Sequence, residues 1–177
     1  MDGWRDRGID LRGRQVVHHD TGPIVIAVVG TGYGLRVAAP VYQRHPSFLL
    51  GAVVGRDVAR TRSLLRSSHL PDDLALSFDE LSASGDFDLI HVASPNVAHE
   101  VQVRQLVPNP ASLLLEKPLS LVDQRQHELA ELLLSRAGTT YVNFPLRALE
   151  TLAPHALNGS NRFSATVRGM VSAPFSS

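Results

Sequence analysis

Residues 24–37 read IVIAVVGTGYGLRV, in which an apolar run ends in three glycines within five positions. The apolar run is continuous rather than alternating, and this pattern is typical of a strand buried on both faces. Gly30, Gly32 and Gly34 allow the backbone to turn sharply, and the residues after them read as a helix. We therefore predict a strand, a glycine loop and a helix in succession.

The glycine loop GTGYG (30–34), with Thr31 and Tyr33 between the glycines, favours binding of a dinucleotide. Glycines let the backbone approach a pyrophosphate, and a helix amino terminus offers free N–H groups and the positive end of the helix dipole. The alternative is a plain turn. The strict spacing of this motif would place the third glycine at position 35, where the chain has Leu35. Pro40 predicts that the following helix is short or kinked.

Apolar runs alternate with helix-length polar segments as far as residue 146. Such alternation indicates an α/β protein with a doubly wound parallel sheet, in which helices cover both faces. After the first strand, the predicted strands are 48–54, 88–94, 112–116 and 139–143, and the predicted helices are 36–45, 57–68, 97–107 and 121–136.

The sequence divides into three parts. Residues 1–22 show neither a helical nor a strand period, and we expect a loosely ordered leader. Residues 23–147 form the doubly wound domain. Residues 148–177 are interpreted as a linker helix and the beginning of a second α+β domain, of which only the first strand, near 162–173, is present.

The composition excludes several classes of partner. Seventeen basic and seventeen acidic residues cancel, so we expect neither nucleic acid nor an anionic membrane as a partner. The chain has no cysteine, no bilayer-length apolar stretch and no secretory signal, and we expect a cytoplasmic protein. The only histidine pair, His18 and His19, is adjacent, so the side chains point apart and we predict no metal site.

The end of the second strand reads VGRD (54–57). In dinucleotide-binding sheets an acidic residue there reads the adenosine ribose of NAD, whereas an arginine accommodates the 2′-phosphate of NADP. Gly55 occupies the expected acidic position and Arg56 follows, so NADP is favoured over NAD. Arg56 is otherwise a solvated surface charge, and Asp57 is interpreted as the N-cap of the next helix.

The third strand is followed by SPNVAHE (94–100). Ligands of open α/β sheets lie beyond the carboxyl ends of the strands, which places Ser94, Asn96 and His99 at the candidate site. Pro95 stops the strand. Asn96 is alternatively a helix N-cap, and His99 is alternatively a surface residue of the first helical turn.

Glu116 and Lys117 emerge at the end of the fourth strand, on the same edge as the glycine loop. Lys117 is the only lysine in the chain. A lysine beside a nicotinamide can donate a proton to a substrate oxygen and stabilise the charge that develops there during hydride transfer, whereas an arginine cannot be tuned for this role. The alternative is a strand-end ion pair, which contributes little stability.

These motifs resemble the glucose–fructose oxidoreductase, inositol dehydrogenase and rhizopine-catabolism family, known as Gfo/Idh/MocA. The resemblance rests on GTGYG (30–34), on SPN with the later His99 (94–99), on EKP (116–118) and on VNFPLR (142–147). It covers roughly residues 23–173. It implies that the glycine loop holds the pyrophosphate, that Ser94, Pro95 and Asn96 line the cofactor, that Lys117 is the active-site lysine, and that Glu116 and Pro118 shape the nicotinamide pocket.

The same resemblance implies an NADP- or NAD-dependent oxidoreductase that acts on CH–OH groups of sugars or polyols. Family enzymes carry a second sheet domain that supplies an aspartate and a histidine to the substrate site and forms the oligomer interface. This sequence departs from the family pattern at PNPAS (108–112) and at Pro145, and no histidine follows His155. We therefore expect dinucleotide binding, with little or no catalysis, from these 177 residues.

Two alternatives remain open at this point. One is a non-catalytic regulatory protein that binds a dinucleotide. The other is a truncated product without independent activity, whose exposed apolar strand at 162–171 would need a homo-oligomer or a second chain to cover it.

Overall fold

The structure is a computed structural model that describes residues 6–9, 15–18 and 22–143. Two short antiparallel strands, β1 (Asp6–Ile9) and β2 (Gln15–His18), form a separate two-stranded sheet. A loosely ordered leader, with no strand, was predicted for this segment. A four-residue strand offers too few positions for an alternating apolar pattern to stand out, so only the backbone pairing shows it.

The main sheet has six strands, all parallel, in the order β5-β4-β3-β6-β7-β8. The strand order changes direction between β3 and β6, and such a switch point is where doubly wound sheets bind ligands. The predicted fold class is confirmed. The strands are β3 (Ile24–Val29), β4 (Phe48–Val54), β5 (Ala75–Leu76), β6 (Leu89–Val92), β7 (Ser112–Leu115) and β8 (Thr140–Val142).

Five α-helices connect the strands. The first continues from a π-helical turn at Gly34–Ala38 and ends at Arg44, so the expectation of a short helix around Pro40 is confirmed. Neither β5 nor α3 was predicted, because each is too short to show a period, although the capping box of Ser77 and Glu80 marks the start of α3. The helices are α1 (Ala39–Arg44), α2 (Val58–Ser67), α3 (Phe78–Ala83), α4 (Asn96–Leu106) and α5 (Asp123–Ser135).

Apolar side chains form one core on each face of the sheet. Helices α1 and α2 cover one face, and α3, α4 and α5 cover the other. Strand β3 contributes Ala27 and Val29 to one core and Ile26 and Val28 to the other, with at most 1% of each residue exposed. Burial on both faces explains why this strand reads as a continuous apolar run.

Two buried polar side chains, Asn109 and Arg136, hydrogen-bond to the backbone of the loops at the amino-terminal edge of the sheet. Asn109 donates to the carbonyl oxygens of Ser82 and Ser84, and its own Oδ1 accepts from the Ala111 N–H. The Arg136 guanidinium donates to the carbonyls of Asn109, Ala111 and Thr139 at 2.5–3.1 Å. These contacts hold the stretch 108–112, where the sequence departs from the family pattern.

The predicted linker helix after residue 147, the predicted strand near 162–173 and Pro145 lie outside the described residues. Among the helices of the described segments, none is long and apolar enough to cross a membrane. The described segments also contain no cluster of three or more metal-ligating side chains.

Arg136→Met is expected to lower the free energy of unfolding by about 2–3 kcal/mol, because it leaves buried carbonyls without a donor. Arg125→Met, on the preceding helix α5, is the control. The Arg125 side chain is 59% exposed and its 3.7 Å ion pair with Glu100 is at the surface, so its loss is expected to cost less than about 1 kcal/mol. Urea denaturation of both variants measures the difference, and equal losses would contradict a structural role for Arg136.

Candidate functional site

The glycine loop lies against the backbone of the neighbouring strand end. Gly30 has a φ of +117°, and a Cβ there would lie 2.5 Å from the Ala93 carbonyl oxygen and 2.9 Å from the Ser94 Cα. A side chain at position 30 is therefore excluded by conformation and by space. At Gly30, the loop after β3 lies against the backbone of the loop after β6.

The other two glycines of the loop have different roles. A Cβ at Gly34 would lie 2.8 Å from Val28 Cγ1 and 3.4 Å from the Ala93 Cβ, so this glycine permits close packing of the helix on the strand. Leu35, where the strict motif has its third glycine, is 2% exposed and belongs to the core. Gly32 is exposed, and a Cβ there would meet nothing within 4 Å, so space above the loop is open at that residue.

The loops at the strand ends begin at a common level. Gly30 N donates to the Val54 carbonyl at 2.8 Å, and Ala93 N donates to the Val29 carbonyl at 2.9 Å. Further along the sheet, Glu116 N donates to Val92 and Asn143 N donates to Leu115, at 3.0 and 2.8 Å. These backbone hydrogen bonds continue the sheet by one residue past each strand. The four predicted motifs, which are GTGYG, VGRD, SPN and EKP, therefore all lie on the carboxyl edge of the sheet.

A cleft of about 390 Å³ lies at the end of β4, lined by Thr31, Arg56, Asp57, Arg60 and Thr61. Arg56 and Arg60 are both exposed. The Asp57 carboxylate accepts from the Arg60 N–H at 3.0 Å, which confirms Asp57 as the N-cap of α2. Arg60 was not predicted, although it lies in the first turn of the helix that Asp57 caps, four residues after Arg56.

Gly55 is closely surrounded at the same strand end. A Cβ at this position would collide with the Thr61 hydroxyl and lie 2.9 Å from the Thr31 Cγ2. The position expected for a ribose-reading carboxylate therefore has no room for an acidic side chain unless its neighbours move.

The residues after β6 lie where the sequence placed them. Pro95 is the N-cap of α4 and Asn96 is its first residue, both exposed, and no side chain caps the helix. Asn96 is therefore not the N-cap considered as an alternative. The Ser94 hydroxyl is half-buried and lies 2.5 Å from Gln102 Oε1.

His99 links two of the loops. It is 1% exposed, with Nδ1 2.9 Å from the Pro118 carbonyl oxygen and Nε2 2.7 Å from the Ser94 carbonyl oxygen. The alternative of a surface residue is wrong, since the ring is buried. Because both ring nitrogens face backbone carbonyls, His99 holds the SPN and EKP loops together and contributes to the site through them.

Lys117 lies exposed on this edge, after the end of β7, and the peptide bond between Lys117 and Pro118 is cis. No ion pair to Lys117 occurs within the described part of the chain, which does not favour the strand-end ion pair considered from the sequence. Glu116 instead contacts Asn143 and His91. Its Oε1 accepts from Asn143 Nδ2 at 2.7 Å and lies 3.1 Å from His91 Nε2.

His91 and Tyr42 extend this contact into the interior. The Tyr42 hydroxyl lies 2.9 Å from His91 Nδ1. Burial lowers the pKa of His91, against an opposing effect of Glu116, and burial with the nearby Glu116 charge raises the pKa of Tyr42 to about 12. Neither residue was predicted to lie near the site, although a histidine inside the apolar run 88–94 was an available signal.

The fold and the site together define a class of protein. A parallel sheet with a glycine loop at its switch point, and with the other motifs on the same edge, is typical of NAD-binding Rossmann-type domains. Residues 24–144 match the oxidoreductase family with an NAD-binding Rossmann fold, which is Gfo/Idh/MocA. The chain belongs to this family, and the resemblance found in the sequence is confirmed.

Two curated relatives match this chain over roughly two thirds of its length. An uncharacterised oxidoreductase of Synechocystis sp. is 31% identical over 127 residues, which cover 70% of this chain and 33% of that protein. The oxidoreductase cns1 of Cordyceps militaris is 30% identical over 121 residues, which cover 68% of this chain and 15% of that protein. The chain thus spans one third or less of the length of these relatives.

Solved structures share the architecture. GenD2 from gentamicin A biosynthesis, in complex with NAD, gives a TM-score of 0.58 at 26% identity and covers 71% of this chain and 36% of its own. Biliverdin reductase from Synechocystis sp., in complex with biliverdin and NADP+, has a TM-score of 0.59 at 22% identity. The match covers 68% of this chain and 38% of the reductase. The scyllo-inositol dehydrogenase of Lactobacillus casei has a TM-score of 0.61 at 18% identity. The match covers 76% of this chain and 40% of the dehydrogenase. The last two likenesses show the fold alone.

Gly30→Ala is expected to lower the free energy of unfolding by at least about 2 kcal/mol, because it combines a disfavoured φ with a collision against backbone. Gly32→Ala, which meets open space, is expected to stay within about 0.5 kcal/mol of the unchanged chain. Denaturant unfolding of the two variants tests the contact, and similar stabilities for both would show that the loop does not lie on Ala93.

The stability of the chain is expected to fall as the pH drops below about 6.5, the ordinary pKa of histidine. Because the pKa of His91 is lowered in the folded state, the unfolded chain binds a proton first and the stabilisation is lost as the pH approaches the folded pKa. Urea denaturation between pH 7.5 and 5 should therefore show a steeper decline than for His91→Leu. Equal slopes would mean that His91 titrates alike in both states.

Proposed function

We propose that this chain binds NADP or NAD along the carboxyl edge of its sheet, as the coenzyme-binding part of an oxidoreductase. The observation that carries the proposal is the backbone contact of Gly30 with Ala93 and Ser94. This contact brings the glycine loop beside SPN, and His99 joins SPN to EKP. Membership of a family with an NAD-binding Rossmann fold supports it.

The glycine loop is assigned to the pyrophosphate. Exposed Gly32 and Tyr33 leave the loop open to a ligand, while Gly30 and Gly34 are buried beneath it. A loop whose glycines carry no side chains lets a ligand reach the backbone N–H groups, and those groups favour an anion.

The cleft at the end of β4 is assigned to the adenosine ribose. Two exposed arginines, Arg56 and Arg60, line it, and no acidic side chain stands at position 55. Arg56 and Arg60 suit a ribose with a 2′-phosphate better than one with a free hydroxyl. We therefore propose a preference for NADP over NAD, with Arg60 as the second contact.

The EKP segment is assigned to the nicotinamide end. Bound there, the coenzyme would supply the hydride-accepting or hydride-donating ring. Lys117 is free of ion pairs among the described residues, and its ammonium can donate a proton to the oxygen of a carbonyl or a hydrogen bond to the oxygen of a hydroxyl. The substrate class proposed is a sugar or polyol CH–OH group, which rests on the family resemblance.

Calorimetric titration with NADPH and NADH tests the coenzyme assignment. NADPH is expected to bind roughly tenfold more tightly or better, because charged hydrogen bonds to the 2′-phosphate are lost with NADH. Arg56→Ser and Arg60→Ser should each lower the ratio of NADPH affinity to NADH affinity without weakening the binding of NADH. Arg62→Ser is the control, since Arg62 lies on α2 but not in the cleft.

Several results would contradict the proposal. Equal or tighter binding of NADH would keep the dinucleotide site and remove the NADP preference. Binding of neither coenzyme by a folded chain would contradict the function itself. Binding together with a change in affinity for another protein, and no turnover on any polyol, would favour a regulatory protein over an enzyme.

A further inference from the structure

A row of polar side chains runs through the interior behind the EKP segment. Tyr42 is 9% exposed and His91 is 3% exposed, in a core that is otherwise apolar. Tyr42, on α1, contacts His91 on β6, and His91 contacts Glu116 at the end of β7. Burying a polar side chain costs free energy, which hydrogen bonds only offset, so apolar residues would fill this space equally well. Because Tyr42 and His91 are both hydrogen-bonded, we look for a role of this row beyond packing.

The direction of these hydrogen bonds is fixed by chemistry. An ionised carboxylate only accepts, so His91 Nε2 must donate to Glu116 Oε1. A neutral ring then has its lone pair on Nδ1, which accepts from the Tyr42 hydroxyl. The lowered pKa of His91 and the raised pKa of Tyr42 agree with a neutral ring and a protonated hydroxyl.

Glu116 is thereby held from two sides at the sheet edge. Asn143 Nδ2, one strand further along, donates 2.7 Å to the same oxygen that faces His91. The Glu116 side chain remains 18% exposed, beside Lys117. A carboxylate fixed in this way presents a negative charge at a constant place on the edge.

We propose that His91, supported by Tyr42, is a positioning residue that fixes the Glu116 carboxylate and thereby favours the oxidised coenzyme. This inference rests on the proposed function. The nicotinamide ring is a cation when oxidised and neutral when reduced, so the Glu116 carboxylate attracts the oxidised form and the neighbouring Lys117 ammonium opposes that attraction. A fixed carboxylate near the ring therefore stabilises the oxidised form selectively, and the adenosine half, at the other end of the edge, is unaffected.

The test compares three ligands by calorimetry: NADP+, NADPH and 2′-phospho-ADP-ribose, which lacks nicotinamide. His91→Leu removes the donor, and Tyr42→Phe removes only its hydroxyl support. His91→Gln is the rescue variant, since its amide can donate to Glu116. Leu89→Ala is the control, because Leu89 lies on the same strand and packs in the same core without facing Glu116.

His91→Leu is expected to weaken NADP+ binding roughly threefold or more, weaken NADPH less, and leave 2′-phospho-ADP-ribose unchanged. Tyr42→Phe should act in the same direction more weakly, His91→Gln should restore the ratio, and Leu89→Ala should not alter it. In the unchanged chain, ¹⁵N NMR of His91 should show a neutral ring protonated on Nε2.

Three results would overturn the inference. Equal effects of His91→Leu on all three ligands, or none on any, would mean that His91 does not act through Glu116. A ring protonated on Nδ1 would reverse the hydrogen bonds described. Failure of the unchanged chain to bind any of the three ligands would overturn the proposed function and this inference together. Normal binding by the unchanged chain, with affinities that His91→Leu does not alter, would overturn this inference alone.

Discussion

The contact on which the site depends is the one between Gly30 and the backbone of Ala93 and Ser94. It lies between β3 and β6, where the strand order of the sheet changes direction. No side chain fits at position 30, so the loop after β3 approaches the loop after β6 more closely than any residue with a Cβ at this position would permit. His99 then ties the Ser94 loop to the Pro118 carbonyl. One backbone contact and one buried ring therefore place three separate motifs side by side.

The two edges of the sheet differ in how they use polar groups. At the amino-terminal edge, Asn109 and Arg136 are buried and donate to backbone carbonyls. At the carboxyl edge, Arg56, Asn96 and Lys117 are exposed. Buried polar groups that bind the chain's own backbone serve stability, whereas exposed groups gathered at one edge are free to meet a ligand.

Much of the sheet could be predicted because strands buried on both faces read as continuous apolar runs. The five strands predicted between residues 24 and 143 all occur, and their ends locate Gly55, Ser94 and Glu116 on the carboxyl edge. Strand β5 has two residues and α3 has six, too few to show a period, although Ser77 and Glu80 gave a capping signal.

Contacts between distant residues could not be predicted in the same way. Tyr42 and His91 are 49 positions apart, and their hydrogen bond exists only because α1 packs over β6. His99 was predicted at the site from its place after a strand, but its burial and its two carbonyl partners depend on how the EKP loop returns. Strand periodicity locates the edge of a sheet, while tertiary packing decides what each side chain on that edge touches.

Hydrogen–deuterium exchange with and without NADPH tests most directly whether the carboxyl edge is the dinucleotide site. We expect NADPH to protect the amides of residues 31–36 and 94–99, and to leave residues 109–112 at the opposite edge unchanged. Protection confined to that opposite edge, or NADPH binding without any protection at residues 31–36, would contradict the assignment of this edge to the coenzyme.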